Sequence, residues 1–526
     1  MKNTILRMAA MSMTLPVIAA AFTSCGDDSE SSYNYTGHNS YVEYESTDDG
    51  AYSNYYQNNE SYNYYEESGF KDAETEPLST FSADVDTASY TNVRRLLENG
   101  NSVPVDAVRV EEFINYFDYK YADPDSDDVF GEYVEIADCP WNSKTKLMML
   151  GIQGKRMNAE EFPPSNLVFL IDSSGSMASY NKLPLVQSAF SMLAENLTEN
   201  DRISIVTYAG SSSTVIAGAD GSQKEEILEA LYSITAYGST NGEGGIETAY
   251  KLAEKYFIEG GNNRIILATD GDLNVGASSE KELTKLIEKK RESGVYLSVL
   301  GFGTGNYKDN KLEALADNGN GNYSYIDSVD EARRVLVEEM GGTLFTIAKD
   351  VKIQVEFNPS QVKSYRLIGY DNRLMEAEDF YDNTKDAGEV GAGHSVTALY
   401  EIELADNGDS YHGVQLEFAS EHKQPLEQST DAGRAELIKL SLTYKDIDTE
   451  EDVYFSELYG MERYSSKPTQ GILLAGAVAE FAMLLKDSEF KGESSYRYVV
   501  DTAAEIGGKN EKISELKELA EMASYL

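Results

Sequence analysis

The chain has 526 residues, with 90 Asp+Glu against 44 Lys+Arg and a formal charge of −46. At roughly 150 residues per domain the length suggests three or four domains, and 41% apolar with 25% charged residues is an ordinary globular composition. The charge argues against nucleic acid, whose phosphates are held by clustered Lys and Arg, and against an anionic membrane surface; divalent cations remain as natural small partners.

Residues 1–24 have a short basic start (Lys2, Arg7), an apolar middle and small residues before Cys25. That is a secretory signal peptide, too short and wrongly flanked for a spanning helix. Ala21-Phe22-Thr23-Ser24-Cys25 resembles a bacterial lipobox, so lipidation of Cys25 is expected in preference to cleavage after Ala-x-Ala beside a chance cysteine. The acidic cluster behind Cys25 resembles a surface-export signal of bacterial lipoproteins. The expected localisation is therefore exported: a cell-envelope lipoprotein of the outer membrane or cell surface. With Cys25 lipidated, the second cysteine, Cys139, has no intramolecular partner and reads as a small buried hydrophobe. Residues 25–77 read as a tether, because Asp27 to Gly69 is Tyr, Ser, Asn and acidic residues with almost nothing aliphatic to bury. Ten tyrosines fall in that stretch without the period of a packed face, which leaves a glycan- or partner-stacking role as the weaker alternative.

After a flanking segment at 78–160, residues 161–348 alternate short apolar runs with helical-period segments. Strands are expected at 166–172, 202–208, 214–218, 264–269, 295–301 and 323–326. Helices are expected from Leu183 to Leu197 and at 222–234, 244–257, 279–293, 309–316 and 329–347. This predicts an α/β unit, a doubly wound, mostly parallel sheet, with 214–218 as an antiparallel edge strand. Ligands of such sheets bind outside the carboxyl ends of the strands. There the sequence places Asp172-Ser173-Ser174-Gly175-Ser176, then Thr240 in a Gly-Ser-Thr-Asn-Gly loop, then Thr269-Asp270-Gly271-Asp272. Two carboxylates and three hydroxyls are hard oxygen donors suited to Mg²⁺, with Mn²⁺ or Ca²⁺ as alternatives. The bland reading is a Ser/Asp-capped turn. Asp272 stands outside the minimal set.

This constellation resembles the metal-ion-dependent adhesion site of the von Willebrand factor A (VWA) family. The resemblance implies that Ser174, Ser176 and Thr240 bind the metal directly and that Asp172 and Asp270 act largely through water. A sixth position would stay open for the Asp or Glu of a protein partner. The strings around Cys139-Pro140-Trp141-Asn142, Leu267–Gly276 and Asp386–Glu401 resemble a bacterial VWA subgroup with its own N-terminal segment and a C-terminal domain of unknown function.

The C-terminal part, 349–526, reads as strands at 350–370, 394–404 and 434–445, then helices over 456–525. With strands near 132–137 and 146–153, these form an expected β-sandwich into which the α/β unit is inserted. Gly388–Ser395 reads as a turn and Asp123–Asp127 as a solvated acidic turn. A catalytic role is not expected: only four histidines occur (His38, His394, His412, His422), and no Gly-x-Ser-x-Gly, His-Glu-x-x-His or Cys–His framework is present. The leading expectation is a membrane-anchored, metal-dependent protein-binding module. A metal-assisted hydrolase and a purely structural envelope protein are the alternatives.

Overall fold

The computed structural model describes residues 60–526 apart from 84–85, 126–127, 240–241, 272–279, 306, 406–435 and 448. The expected signal peptide and Cys25, Thr240, Asp272, and His38, His412 and His422 lie outside the described residues.

Strand β1 (Ser165–Asp172) is buried at every position, and its alternating side chains explain why. Leu167, Phe169 and Ile171 enter the core on one face of the sheet, and Val168 and Leu170 enter the core on the other. Burying each such side chain contributes roughly 1.5–3 kcal/mol, so a continuous apolar run is what a doubly covered strand requires. The remaining strands are β2 (Arg202–Tyr208), β3 (Ser212–Asp220), β4 (Asn262–Thr269), β5 (Tyr296–Phe302) and β6 (Tyr323–Ile326). They lie in the order β6-β5-β4-β1-β2-β3, all parallel except the antiparallel edge pair β2–β3. Helices α1 (Leu183–Glu195) and α2 (Lys224–Tyr232) pack on one face. On the other lie α3 (Gly242–Lys255), α4 (Glu280–Arg291) and α5 (Asp309–Asp317). This is the expected doubly wound unit.

The chain around it forms two antiparallel sheets. One comprises strands at 71–72, 362–368, 395–404, 146–154 and 130–138 in spatial order. The other orders strands at 374–375, 78–82, 346–357, 436–446 and 452–460, with 388–391 paired to 346–357. The α/β unit enters after Gly154 and leaves at Thr346, so it is inserted between strands of the sandwich. Alternation again assigns the faces: Met148, Leu150 and Ile152 fill the sandwich interior, whereas Leu147 and Met149 face the helical layer. That layer contains Gln470–Leu485, Tyr496–Ile506 and Glu511–Ala523. The first of these is apolar nearly all round because it is enclosed between the sheet and its neighbouring helices.

Several expectations are corrected at this level. The helix expected over 329–347 is broken: Val329–Arg333 passes through a π turn at Arg334–Glu338 to a short helix at Met340–Leu344, and Thr346 already begins a strand. The helical reading from 456 starts too early, since Asp452–Gly460 is a strand paired with Glu436–Asp446. Within the turn expected at Gly388–Ser395, Gly388–Gly391 is an edge strand and the turn is confined to Ala392 and Gly393. Its glycines are needed for close approach: a Cβ at Gly391 would lie 1.9 Å from the Gly342 carbonyl oxygen, and one at Gly388 2.1 Å from that of Ala83. Leu78–Ser82, not read as a strand, pairs with Lys352–Glu356 inside the second sheet. Cys139 is a buried free thiol, and burial pushes its pKa up to about 12.

Candidate metal centre

Three loops meet where β1, β2 and β4 end. Asp172, the last residue of β1, is fully buried. Its Oδ1 accepts the Ser174 N–H at 2.9 Å, and its Oδ2 accepts the Thr269 hydroxyl at 3.2 Å. The first bond turns the chain sharply back and brings the Ser174 and Ser176 hydroxyls to 2.9 Å from each other. Ser174 is buried and Ser176 is exposed, so the pair runs from the crevice floor to its mouth.

The second loop is fixed by backbone bonds. The Ser173 carbonyl accepts the Tyr237 N–H at 2.8 Å, and the Gly238 carbonyl accepts the Gly175 N–H at 3.0 Å. These bonds hold Gly238 against the Ser-Gly-Ser turn; Thr240, two residues on, is outside the described residues. The third loop supplies Asp270, only 1% exposed and immediately beyond β4. Gly271 follows at φ +87°, and a Cβ there would meet the Lys308 backbone nitrogen at 2.6 Å, so glycine lets this loop close over its neighbour.

Burial raises the Asp172 carboxyl to about 6, hydrogen bonds from Ser174 pull it back, and the charge of Asp270 pushes it up further. The Tyr208 hydroxyl at the end of β2 is buried beside these carboxylates without a well-formed hydrogen bond. Two buried carboxylates and two hydroxyls with free lone pairs suit a hard cation that keeps part of its water. Among the described residues no group of three or more His, Cys, Asp or Glu is placed to hold a metal ion, and the described oxygen donors of the crevice are two carboxylates and two hydroxyls.

The comparisons with known proteins identify the family of this chain. The descriptions "von Willebrand factor", "von Willebrand factor type A domain" and "Uncharacterized protein YfbK, C-terminal" match residues 56–149, 166–338 and 342–526. The chain is 42% identical over 456 residues to "Uncharacterized protein YfbK" of Escherichia coli (strain K12), covering 85% of this chain and 78% of that protein. The chain belongs to the YfbK family. Inter-alpha-trypsin inhibitor heavy chain H3 of Homo sapiens is 31% identical over 193 residues, 35% of this chain and 22% of that one. Among solved structures, a von Willebrand factor type A protein from Catenulispora acidiphila superposes with a TM-score of 0.42 at 14% identity, over 76% of this chain and 91% of that chain. This YfbK-family chain thus carries a VWA domain over the residues that form the crevice. The adhesion-site motifs of VWA domains bind divalent metals, and such domains typically bind protein ligands.

The structure places Asp172, Ser174 and Ser176 on one turn and Asp270 at the neighbouring strand end, where its charge acts on Asp172. One residue was not singled out. Lys182, just before α1, reaches across to Asp270 with Nζ 2.8 Å from Oδ2. The available signal was its place: a cation at a helix N-terminus is unfavourable unless something else holds it. His394 takes no part in the crevice; it is half-buried and packed against Gly342, where a Cβ would lie 2.9 Å from its ring, and desolvation lowers its pKa.

Proposed function

We propose that this protein is a metal-dependent protein-binding module without catalytic activity, carried on a lipid-anchored tether at the cell envelope. The observation that supports it best is the pairing of buried Asp172 and Asp270 with the Ser174 and Ser176 hydroxyls at the end of a parallel sheet, opening to solvent at Ser176. Asp172, Ser174, Ser176 and Asp270, together with Thr240, would hold Mg²⁺, or Mn²⁺ or Ca²⁺. The bound ion would supply a Lewis-acid position for an Asp or Glu of the partner. The chain's own residues do the rest: Asp172 folds the Ser-Gly-Ser turn, and the backbone bonds of Ser173 and Gly175 hold the second loop against it. Exposed Tyr180 (86%) and Tyr237 (69%) lie on the two loops that carry these residues, which is the kind of aromatic surface that anchors protein partners.

Capture of partners from an envelope extract by the full chain tests this reading, in Mg²⁺ and in EDTA, beside Asp172→Ala. Capture should require Mg²⁺ and be lost in the variant. Capture indifferent to both would overturn the metal-dependent reading, and substrate turnover lost in Asp172→Ala would point to a hydrolase instead. The anchor has its own test: Cys25→Ala should release the protein from membranes, and continued attachment counts against lipidation.

A further inference from the structure

Lys182 stands where helix formation does not explain it. It immediately precedes α1, whose first turn carries no acidic residue, so the partial positive charge of the helix terminus disfavours its ammonium there. The side chain is 9% exposed and Asp270's is 1% exposed, and charges this buried are kept only when paired. The lysine stem also has a built slot. Gly303, at φ +80°, faces it without a Cβ; a Cβ there would lie 2.3 Å from Lys182 Cε. Asp172, fully buried, shares the crevice and feels the charge of Asp270. Together the Asp172, Asp270 and Lys182 side chains carry one net negative charge.

We propose that Lys182 is a built-in third charge of the metal centre, which weakens the hold of the site on a divalent cation and makes the loaded site selective for a carboxylate. This rests on the metal-dependent reading above. Two carboxylates alone would be neutralised by a divalent ion and would leave no excess charge to attract an acidic group. With the fixed ammonium, these three side chains and the ion together keep one positive charge, which one partner carboxylate cancels. In a buried crevice of low effective dielectric this charge acts strongly and salt screens it little. Such a device suits a protein of net charge −46, whose long-range field repels an acidic partner and leaves recognition to short-range contacts.

The test titrates Mn²⁺ calorimetrically into the full chain as wild type, Lys182→Gln and Lys182→Arg. Acetate is then added to each Mn²⁺-saturated protein, and loss of metal-bound water is read by water-proton relaxation. Lys182→Gln keeps a donor to Asp270 but loses the charge; it should bind Mn²⁺ at least about fivefold tighter and need more acetate for half-displacement. Lys182→Arg should stay within about twofold of wild type in both measurements. Unchanged or weaker Mn²⁺ binding by Lys182→Gln, or an unchanged acetate midpoint, overturns the proposal while leaving the metal reading intact. Should Lys182→Gln not fold, Asp270→Asn is compared with Asp270→Asn/Lys182→Gln, in which no buried carboxylate is left without its lysine. The double variant should bind Mn²⁺ more tightly, and equal affinities overturn the proposal. Flat titrations for wild type and variants overturn the metal reading and this proposal with it.

Discussion

Asp172, Ser174 and Ser176 were legible as a site because their relation is local: a hydrogen bond from a backbone N–H two residues on folds the turn by itself. Lys182 and Asp270 are 88 residues apart, and no local rule pairs them. The same contrast applies to Glu401. Two of the distinctive strings, Cys139–Asn142 and Asp386–Glu401, meet there in the fold. The Glu401 carboxylate accepts Trp141 Nε1 at 3.0 Å, Asn142 Nδ2 at 2.7 Å and the Thr145 hydroxyl at 2.8 Å, and it pairs with Arg366 at 3.1 Å. Both charged side chains are 2% exposed, so Glu401→Ala strands a buried guanidinium and should cost about 3–5 kcal/mol. A lowered urea midpoint at unchanged m-value would show it. At the crevice rim, Tyr180→Ala and Tyr237→Ala should each weaken partner capture about tenfold while leaving the Mn²⁺ affinity unchanged. Equal loss of metal binding would mean that these tyrosines shape the site itself.

Among elements, the Gln470–Leu485 helix carries one acid, Glu480, in an otherwise apolar surface, and Glu480 is 1% exposed. Burial raises its pKa to about 7, partly offset by the Ser495 N–H that it accepts at 3.3 Å; Tyr498 is an ionisable neighbour. A pKa raised on folding means that the native state holds the proton more tightly than the unfolded chain. Its contribution is therefore present below about pH 4.5 and is lost as pH rises through about 7. Glu480→Gln should remove that loss, and the thermal midpoint at pH 8 should rise relative to wild type while the two agree near pH 4. The first described residues form a second case. The Glu60 carboxylate pairs with Arg95 at 2.9 Å and accepts the Gly305 N–H at 2.9 Å, while Ser61 bridges to Lys308. Tyr62 donates to Glu60 at 2.9 Å and accepts Asn92 at the same distance. The end of the expected tether is thus strapped to the 303–308 loop, whose Gly303 and Lys308 touch Lys182 and Gly271. Glu60→Ala should speed hydrogen exchange at the Gly305 amide, and unchanged protection there would show that the loop holds without the strap.

Over the whole molecule, the α/β unit is joined to the flanking segments by charge as well as by chain. Arg94 pairs with Asp327 at 2.6 Å, with Glu331 at 3.0 Å and with Glu515 of the last helix at 3.1 Å. Arg334, paired with Glu331, donates to Thr87 at 3.0 Å, and Lys512 pairs with Glu339 at 3.3 Å. Arg109 ties the N-terminal segment to Asp309 at the start of α5 at 2.5 Å. Arg94→Met leaves several buried acids short of a cation and should cost about 3–5 kcal/mol. If the network couples the units, calorimetry should show one unfolding transition for the wild type and two for Arg94→Met; a variant with one transition that merely moves down in temperature would mean that packing alone couples them.

The sequence by itself determined the α/β order, the antiparallel edge strand and the insertion into a sandwich, and it singled out Asp172, Ser174, Ser176 and Asp270 at the ends of the parallel strands. Each of these follows from a period or a turn written within a few residues. Only the tertiary structure decided that Leu78–Ser82 lies within a sheet of the sandwich, that the 329–347 helix breaks, and that Lys182 answers Asp270. Those outcomes depend on which distant backbone approaches closely enough to pair, to clash with a Cβ, or to share a buried charge, and composition and spacing do not encode that distance.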